Sequence, residues 1–151
     1  MGLRVVVAAD DAGYDYKETI KKDLEADPRV DKVIDVGVGV GEHTFYPEVA
    51  IAGAETIAAG EADRGIFVCG TGLGVAMSAN KVKGVRAGTA HDSYSVERLV
   101  LSNDAQVLCM GERVIGVELA RRLAHEFLGY TFDPHSHSAP KVAEILAYEG
   151  A

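Results

Sequence analysis

The sequence has no tryptophan, and only two of its 151 residues are cysteines, Cys69 and Cys109. They lie forty positions apart in apolar surroundings, a spacing that fits neither a disulfide framework nor a Cys-x-x-Cys metal site. We therefore expect two reduced thiols and no metal centre. Most such cysteines are small buried hydrophobic residues, so a catalytic role for either one needs a further observation.

Long apolar runs and basic clusters are missing as well. No run approaches the ~20 apolar residues that a membrane-spanning helix needs, and no charged, apolar and cleavage regions mark a targeting segment. The 15 basic and 23 acidic side chains give a net charge of −8. We therefore expect a cytoplasmic protein with no nucleic-acid partner and no membrane contact. An anionic substrate must then be held by a local site rather than by the overall field.

The sequence does contain a regular alternation of short apolar runs and amphipathic segments. The runs predict strands over residues 3–10, 31–37, 63–70, 84–90 and 105–111. The amphipathic segments predict helices over residues 13–27, 46–60, 72–82, 91–104, 116–129 and 138–149. Continuous apolar strands separated by helices are typical of a parallel sheet covered on both faces. We predict one doubly wound, Rossmann-like α/β domain over residues 1–151, with a five-stranded parallel sheet and an extra C-terminal helix.

Polar residues follow four of the predicted strands. In an open parallel sheet, ligands bind beyond the carboxyl ends of the strands, near the switch in strand order. The candidate site therefore combines the segments after the first, third, fourth and fifth strands, which are residues 10–11, 69–74, 91–92 and 111–113. Several polar groups at one edge are harder to explain as packing than any one of them alone.

A glycine-rich turn lies in the segment VCGTGLGVAMSANK, residues 68–81. Gly70 and Gly72 fit the start of the dinucleotide fingerprint, but Val75 occupies its third glycine position, and the turn follows the third strand rather than the first. A phosphate-binding loop with its lysine is also absent. Two interpretations stay open: a tight turn, or a nest of backbone N–H groups that binds an anion.

Cys69 stands directly before this turn. A thiol beside a helix N-terminus loses its proton readily, which makes Cys69 a candidate base or nucleophile. An inert thiol in the last buried turn of a strand is the alternative. His91 is a candidate partner for a nucleophilic cysteine, although no motif requires that pairing.

Four segments together resemble one family: ADDAG, CGTGLGVAMSANKVKGVRAG, HDSYSVERL and SNDAQVLCMGERVIGVELA. They are similar to ribose-5-phosphate isomerase B and its galactose-6-phosphate isomerase relatives, over nearly the whole chain. The resemblance implies an aldose–ketose isomerase that acts on a small phosphorylated sugar through a cis-enediolate, with no metal or organic cofactor. It also implies a homodimer or homotetramer whose active sites are shared between subunits.

The resemblance places the proton chemistry in the glycine-rich turn. Cys69 is then the base that moves the proton between C1 and C2, and Thr71 shuttles the oxygen-bound proton. This chemistry needs a positioned base and donors for the developing oxyanion. The implied anion hole consists of backbone amides of the turn, including those of Gly70, Gly72, Leu73 and Gly74.

Further positions are carried over for substrate binding. Asp10 is implied to hold sugar hydroxyls, Tyr46 to line the sugar, Asn103 to reach it from a neighbouring subunit, and Arg113 to bind the phosphate. Without the resemblance, Asp10 is equally well explained as a helix N-cap and Arg113 as a surface ion-pair partner. We expect the three remaining histidines to be exposed rather than to act as ligands: His43, His125 and His135.

The sequence departs from the ribose-phosphate isomerases at three places. Asp11 stands where SDHAG has its histidine; it is expected to bind hydroxyls or to pair with Arg113. Ser102 replaces the histidine of HND, which is thought to open the furanose ring. The C-terminal segment HSHSAPK leaves His137 and Lys141 at the positions of the usual phosphate-binding arginines.

Ser102 bears on the substrate. A tetrose 4-phosphate cannot form a furanose, because the oxygen that would close the ring carries the phosphate, so no ring-opening group is needed. The segment from Ser95 to Gln106 also resembles the erythrulose-4-phosphate isomerase branch. We therefore favour D-erythrose 4-phosphate and D-erythrulose 4-phosphate as the substrate pair.

Three alternatives stay open. In the first, His91 opens the ring and the substrate is ribose 5-phosphate. The second is a flavodoxin-like nucleotide-binding module, which the missing third glycine disfavours. The third is an inactive partner subunit, which the intact Cys69 disfavours.

Overall fold

The computed structural model describes residues 1–151 and contains five strands and six α-helices. The strands are β1 Leu3–Ala9, β2 Val30–Asp35, β3 Arg64–Cys69, β4 Ala87–Thr89 and β5 Val107–Gly111. The helices are α1 Tyr14–Ala26, α2 Tyr46–Ala58, α3 Leu73–Ala79, α4 Ser93–Leu101, α5 Val117–Phe127 and α6 Ala139–Glu149, and a 3-10 turn, Asp11–Gly13, precedes α1. No helix is long and apolar enough to cross a membrane.

The strands form one parallel sheet in the order β2-β1-β3-β5-β4. Alternate residues of β1 enter separate hydrophobic clusters: Val5 and Val7 lie in one, Val6 and Ala8 in the other. Both faces of the sheet are therefore buried under helices, as the continuous apolar runs predict. The predicted doubly wound fold is confirmed.

The predicted strand over residues 84–90 is shorter in the structure, where β4 covers only Ala87–Thr89. Gly84 has a positive φ of 87° and ends a turn. The Arg86 N–H donates to the Gln106 side-chain carbonyl at 2.8 Å instead of joining the strand ladder. A side-chain amide thus takes the Arg86 N–H, while the Arg86 carbonyl still accepts the backbone N–H groups of Gln106 at 3.0 Å and Val107 at 3.2 Å. Sequence periodicity does not reveal this exchange.

The switch in strand order lies between β1 and β3, because the chain goes from β1 to β2 on one side and then to β3 on the other. At the carboxyl edge, Ala9 is level with Val68, and Cys69 with Gly111. The segments that follow β1, β3 and β5 are therefore neighbours, and the fold brings their polar residues to one place.

The opposite edge of the sheet, at the amino ends of the strands, holds the ends of α4 and α5. Arg64, the first residue of β3, donates to the carbonyls of Phe127 at 2.9 Å and Tyr130 at 2.6 Å. The last residue of α6, Glu149, accepts the N–H of Gly84 at 3.0 Å. Val142 is the only buried residue of α6, so this helix covers little of its own chain.

Candidate active site

Cys69 is the last residue of β3 and is only 4% exposed. Its Sγ accepts the N–H of Gly72 at 3.1 Å. Gly72 adopts a left-handed φ of 79°, which turns its amide back toward the strand end at no steric cost for glycine. This contact holds the sulphur against the backbone of the turn that follows β3.

Cys109 provides a comparison within the same fold. It lies on β5, is fully buried and forms no disulfide. Burial raises the pKa of its thiol well above the ordinary value. Both cysteines belong to the same buried cluster, but only Cys69 lies at the carboxyl edge, lines the cavity and has a donor on its sulphur.

Two of the backbone N–H groups in the turn after Cys69 have no acceptor. Further along the turn, the Leu73 N–H does have one, since it donates to Thr71 Oγ1 at 3.2 Å. The N–H groups of Gly70 and Thr71 form no hydrogen bond within the chain. A buried backbone N–H rarely goes unpaired, and Gly70 is buried. These two consecutive donors are therefore available to an anionic ligand beside the sulphur.

A cavity of about 270 Å³ opens at this point. Four separate segments of the chain line it, with the side chains or backbone of Asp10, Ala12, Tyr46, Cys69, Gly70, Thr71, Gly74 and Arg113. The structure thus brings together five of the residues that the sequence assigns to catalysis or to substrate and phosphate binding, together with the turn glycines Gly70 and Gly74. Their chemical roles stay predictions at this stage.

Close contacts fix the walls of this cavity. The ring of Tyr46 touches Gly74 so closely that a side chain on Gly74 would overlap it. The Arg113 N–H donates to the Gly70 carbonyl at 3.0 Å, and the Glu112 N–H donates to the Cys69 carbonyl at 2.9 Å. The segment after β5 is therefore hydrogen-bonded directly to the turn that holds the thiol.

The charges around the cavity are mixed. Asp10 Oδ1 accepts the N–H of Gly13 at 3.1 Å, so Asp10 caps the 3-10 turn. Asp10 also lines the cavity. Burial raises the pKa of Asp10, and burial also raises the pKa of Glu112, whose carboxylate accepts the Tyr16 N–H at 2.8 Å. Arg113 is the only basic residue lining the cavity.

His91 does not line the cavity, although it contacts the end of β5. Its Nε2 accepts the N–H of Gly111 at 2.9 Å, and burial lowers the pKa of the imidazole. A neutral imidazole that accepts at Nε2 carries its proton on Nδ1. His91 therefore links the segment after β4 to the end of β5.

Asp11 does not pair with Arg113, which corrects one of the expectations for it. Its Oδ2 lies 3.4 Å from Nδ1 of His43, a histidine that is exposed as expected. The two residues border a second cavity of about 320 Å³, which Thr44, Phe45 and Glu48 complete. Asp10 and Ala12, on either side of Asp11 in the sequence, line the first cavity. Asp11 therefore stands at the rim of the site.

Lys17 is a residue that sequence reasoning missed. Its side chain is 1% exposed, and its Nζ donates to Asp35 at 3.0 Å and to the carbonyl of Val38 at 2.6 Å. These contacts anchor the segment between β2 and α2, which leads to Tyr46. The signal was present, since Lys17 falls on the apolar face of α1 with Ile20 and Leu24.

Four further predicted site residues do not line the cavity either: Ser102, Asn103, His137 and Lys141. Ser102 and Asn103 follow α4 at the amino edge of the sheet. There Ser102 Oγ accepts the Nε–H of Arg98 at 2.7 Å. The segment with His137 and Lys141 lies between Tyr130 and Glu149, both anchored at that same edge. Within one chain, these residues do not meet Cys69.

A doubly wound sheet with a thiol, free amides and an arginine in one cavity defines an enzyme for a small anionic substrate. The chain belongs to the family described as ribose/galactose isomerase, whose pattern matches residues 5–145. The family and the isomerase class that the sequence resemblance implies are thereby confirmed.

Individual relatives agree with this assignment. The chain is 65% identical to D-erythrulose-4-phosphate isomerase 2 of Mycolicibacterium smegmatis, over 100% of both chains. It is 43% identical to the D-erythrulose-4-phosphate isomerase of Pectobacterium atrosepticum, over 97% of this chain and 95% of that one. Among solved structures, ribose-5-phosphate isomerase B of Clostridium thermocellum superposes with a TM-score of 0.92 at 36% identity, covering 98% of each chain.

Proposed function

We propose that this protein interconverts D-erythrose 4-phosphate and D-erythrulose 4-phosphate, with Cys69 as the base. The observation that carries the proposal is the position of the Cys69 sulphur at the carboxyl edge, bonded to the Gly72 amide at 3.1 Å and beside the free amides of Gly70 and Thr71. The full-length similarity to two D-erythrulose-4-phosphate isomerases supports the choice of substrate.

The proposed reaction is a proton transfer between adjacent carbons. Cys69 removes the proton from the carbon beside the carbonyl, and the resulting cis-enediolate carries negative charge on its oxygen. The free N–H groups of Gly70 and Thr71 donate to that oxygen, where preorganised donors have their largest effect on rate. Returning the proton to the neighbouring carbon, with Thr71 moving the oxygen-bound proton, completes the isomerisation and regenerates the thiolate.

The other cavity residues are proposed to orient the sugar. Asp10 accepts from substrate hydroxyls, Tyr46 contacts the carbon chain, and Arg113 contacts the phosphate. Asp11, at the rim beside His43, is placed to accept from a hydroxyl rather than to bind the phosphate, because two like charges repel. These assignments position the reacting carbons against the sulphur, and such positioning contributes to the rate by itself.

Ribose 5-phosphate is the second candidate substrate, since the superposed Clostridium thermocellum protein is a ribose-5-phosphate isomerase B. Two observations favour the tetrose. Ser102 provides no acid or base for opening a ring, and its hydroxyl is already bonded to Arg98 at 2.7 Å. His91, the other candidate for ring opening, is bonded to the Gly111 amide at 2.9 Å.

We also propose that the working enzyme is a homodimer or homotetramer in the cytoplasm, with sites shared between copies. Asn103 reaches an active site only if another copy brings it there, since it lies at the edge of the sheet opposite Cys69. α6 covers little of its own chain. A group of apolar side chains on the segments bordering the site is exposed, which suits contact with another copy: Val40, Phe45, Leu73 and Met77.

A kinetic comparison of substrates tests this proposal. We expect kcat/KM for D-erythrulose 4-phosphate to exceed that for ribose 5-phosphate by about 10- to 100-fold, the range that one chain carbon supplies in a fitted pocket. Protein carrying Cys69→Ala, purified in parallel, measures any contaminating host isomerase. A higher kcat/KM for ribose 5-phosphate would overturn the choice of substrate but not the isomerase class.

A further inference from the structure

The Arg98 side chain is held in one orientation by Ser102. Its Nε–H donates to Ser102 Oγ at 2.7 Å, one helical turn later, at the end of α4. Its terminal nitrogens have no hydrogen bond, and the nearest carboxylate, that of Glu97, is 3.7 Å from Nη1. The side chain is 39% exposed. Ser102 thus orients the guanidinium through Nε, Nη1 forms an exposed ion pair with Glu97, and Nη2 has no partner within the chain. An exposed ion pair is weak, so the guanidinium can still bind phosphate oxygens.

The catalytic cavity needs cationic groups that its own chain lacks. Arg113 is the only basic residue lining it, and two acidic residues, Asp10 and Glu112, lie on the same segments as the lining residues. A sugar phosphate brings up to two negative charges, and the enediolate adds a third. Like charges at close range disfavour one another, so further cations must come from another copy of the chain.

Few basic groups can meet this need. Lys141 offers a point charge without the planar fork of an arginine, and the imidazole of the other C-terminal candidate, His137, cannot bind phosphate with two parallel N–H groups as an arginine does. Arg98 lies on the same stretch of chain as Ser102 and Asn103, at the edge of the sheet that faces away from its own Cys69. The structure thus offers an arginine where the C-terminal segment offers none.

We infer that Arg98 contacts the substrate phosphate in the site of a neighbouring copy, and that Ser102 is the positioning residue that orients it. This inference rests on the proposed function, including its shared sites. It gives Ser102 a role other than the lost ring-opening one, because the hydroxyl holds an arginine instead of acting on the sugar. In a tetrose 4-phosphate the phosphate lies one carbon–carbon bond closer to the reacting carbons, so a differently placed cation selects chain length.

Two variants of the enzyme test the inference. Arg98→Gln removes the positive charge, and Ser102→Ala keeps the charge but removes the hydrogen bond that orients the guanidinium. With D-erythrulose 4-phosphate we expect Arg98→Gln to raise KM by about 10-fold or more, as for a lost charge-assisted contact, with kcat within about two-fold. We expect Ser102→Ala to raise KM by about two- to five-fold and Ser102→Thr to restore it. Inhibition by inorganic phosphate should weaken in parallel with the rise in KM.

Arg122→Gln is the matched control, because Arg122 also forms an i,i+4 pair, with Glu126 at 3.6 Å, on an exposed helix face. Its KM should equal that of the wild type. The inference would be overturned if Arg98→Gln had the same KM and the same inhibition by phosphate as the wild type. A loss of thermal stability with no change in KM would likewise overturn it, because it would show that Arg98 has only a structural role. A wild-type enzyme inactive on D-erythrulose 4-phosphate but active on ribose 5-phosphate would contradict the choice of substrate, and the same variants would then be measured with ribose 5-phosphate.

Discussion

Replacing Cys69 with alanine is expected to lower kcat for aldose–ketose exchange by about 10²- to 10⁴-fold, the contribution of a positioned general base. The sulphur lies at the carboxyl edge of β3 and accepts the Gly72 amide at 3.1 Å, so its removal deletes the proton acceptor and leaves the turn in place. KM should change little, because the base contacts the reacting carbon and not the phosphate. Steady-state kinetics and thermal unfolding of the same preparation check both statements.

Cys109→Ala is the matched control for this substitution. Cys109 is as buried as Cys69 and lies on the neighbouring strand β5, but it reaches no cavity. Alanine at either position removes one buried sulphur, so we expect similar losses of about 1 kcal/mol in unfolding free energy. Only the Cys69 variant should lose activity. Turnover within a few-fold of the wild type in Cys69→Ala would remove this thiol from the mechanism.

Gly111→Ala is expected to produce the second large effect. A Cβ on Gly111 would lie 2.6 Å from the backbone carbonyl carbon of Thr71, and backbone cannot yield as the end of a side chain can. The turn that carries the amides of Gly70 and Thr71 must therefore shift away from β5. A misplacement of about 1 Å at a reacting site costs roughly 100-fold in rate, and overpacking costs about 1–3 kcal/mol of stability.

Gly116→Ala serves as its control, a few residues further along the same segment. Nothing lies within 4 Å of a Cβ built on Gly116, and its φ of −71° suits any residue. Kinetics and chemical denaturation should find Gly116→Ala close to the wild type in activity and Gly111→Ala at least ten-fold slower, on the order that displaced catalytic donors show. Wild-type kcat in Gly111→Ala would show that the contact between β5 and the turn has no part in catalysis.

The fold could be predicted from the sequence because each buried parallel strand is a continuous apolar run, as in Val5–Ala9 or Ile66–Cys69. The exceptions lie at the edges of the sheet. β4 begins later than its apolar run because a side chain, Gln106, takes the place of a strand neighbour. β2 is largely exposed at the opposite edge, so its charged residues dilute the pattern.

The candidate site could be predicted only in part. The carboxyl-edge rule brings Asp10, Cys69 and Arg113 together, and the structure confirms that they line one cavity. The hydrogen bonds of His91 and Ser102 could not be predicted from the sequence. Either side chain can bond many polar groups, and only the folded structure shows which of them lies within reach. In the structure, His91 accepts from the Gly111 amide and Ser102 accepts from Arg98.

The proton transfer itself can be observed by NMR, with D-erythrose 4-phosphate converted in deuterium oxide. We expect the wild-type enzyme to form D-erythrulose 4-phosphate with solvent deuterium at C1, because Cys69 exchanges its proton with solvent between removal and return. With Cys69→Ala we expect product and deuterium at C1 to form at least about 100-fold more slowly, in line with the lost general base. Deuterium incorporation by Cys69→Ala at the wild-type rate would contradict the assignment of Cys69 as the base.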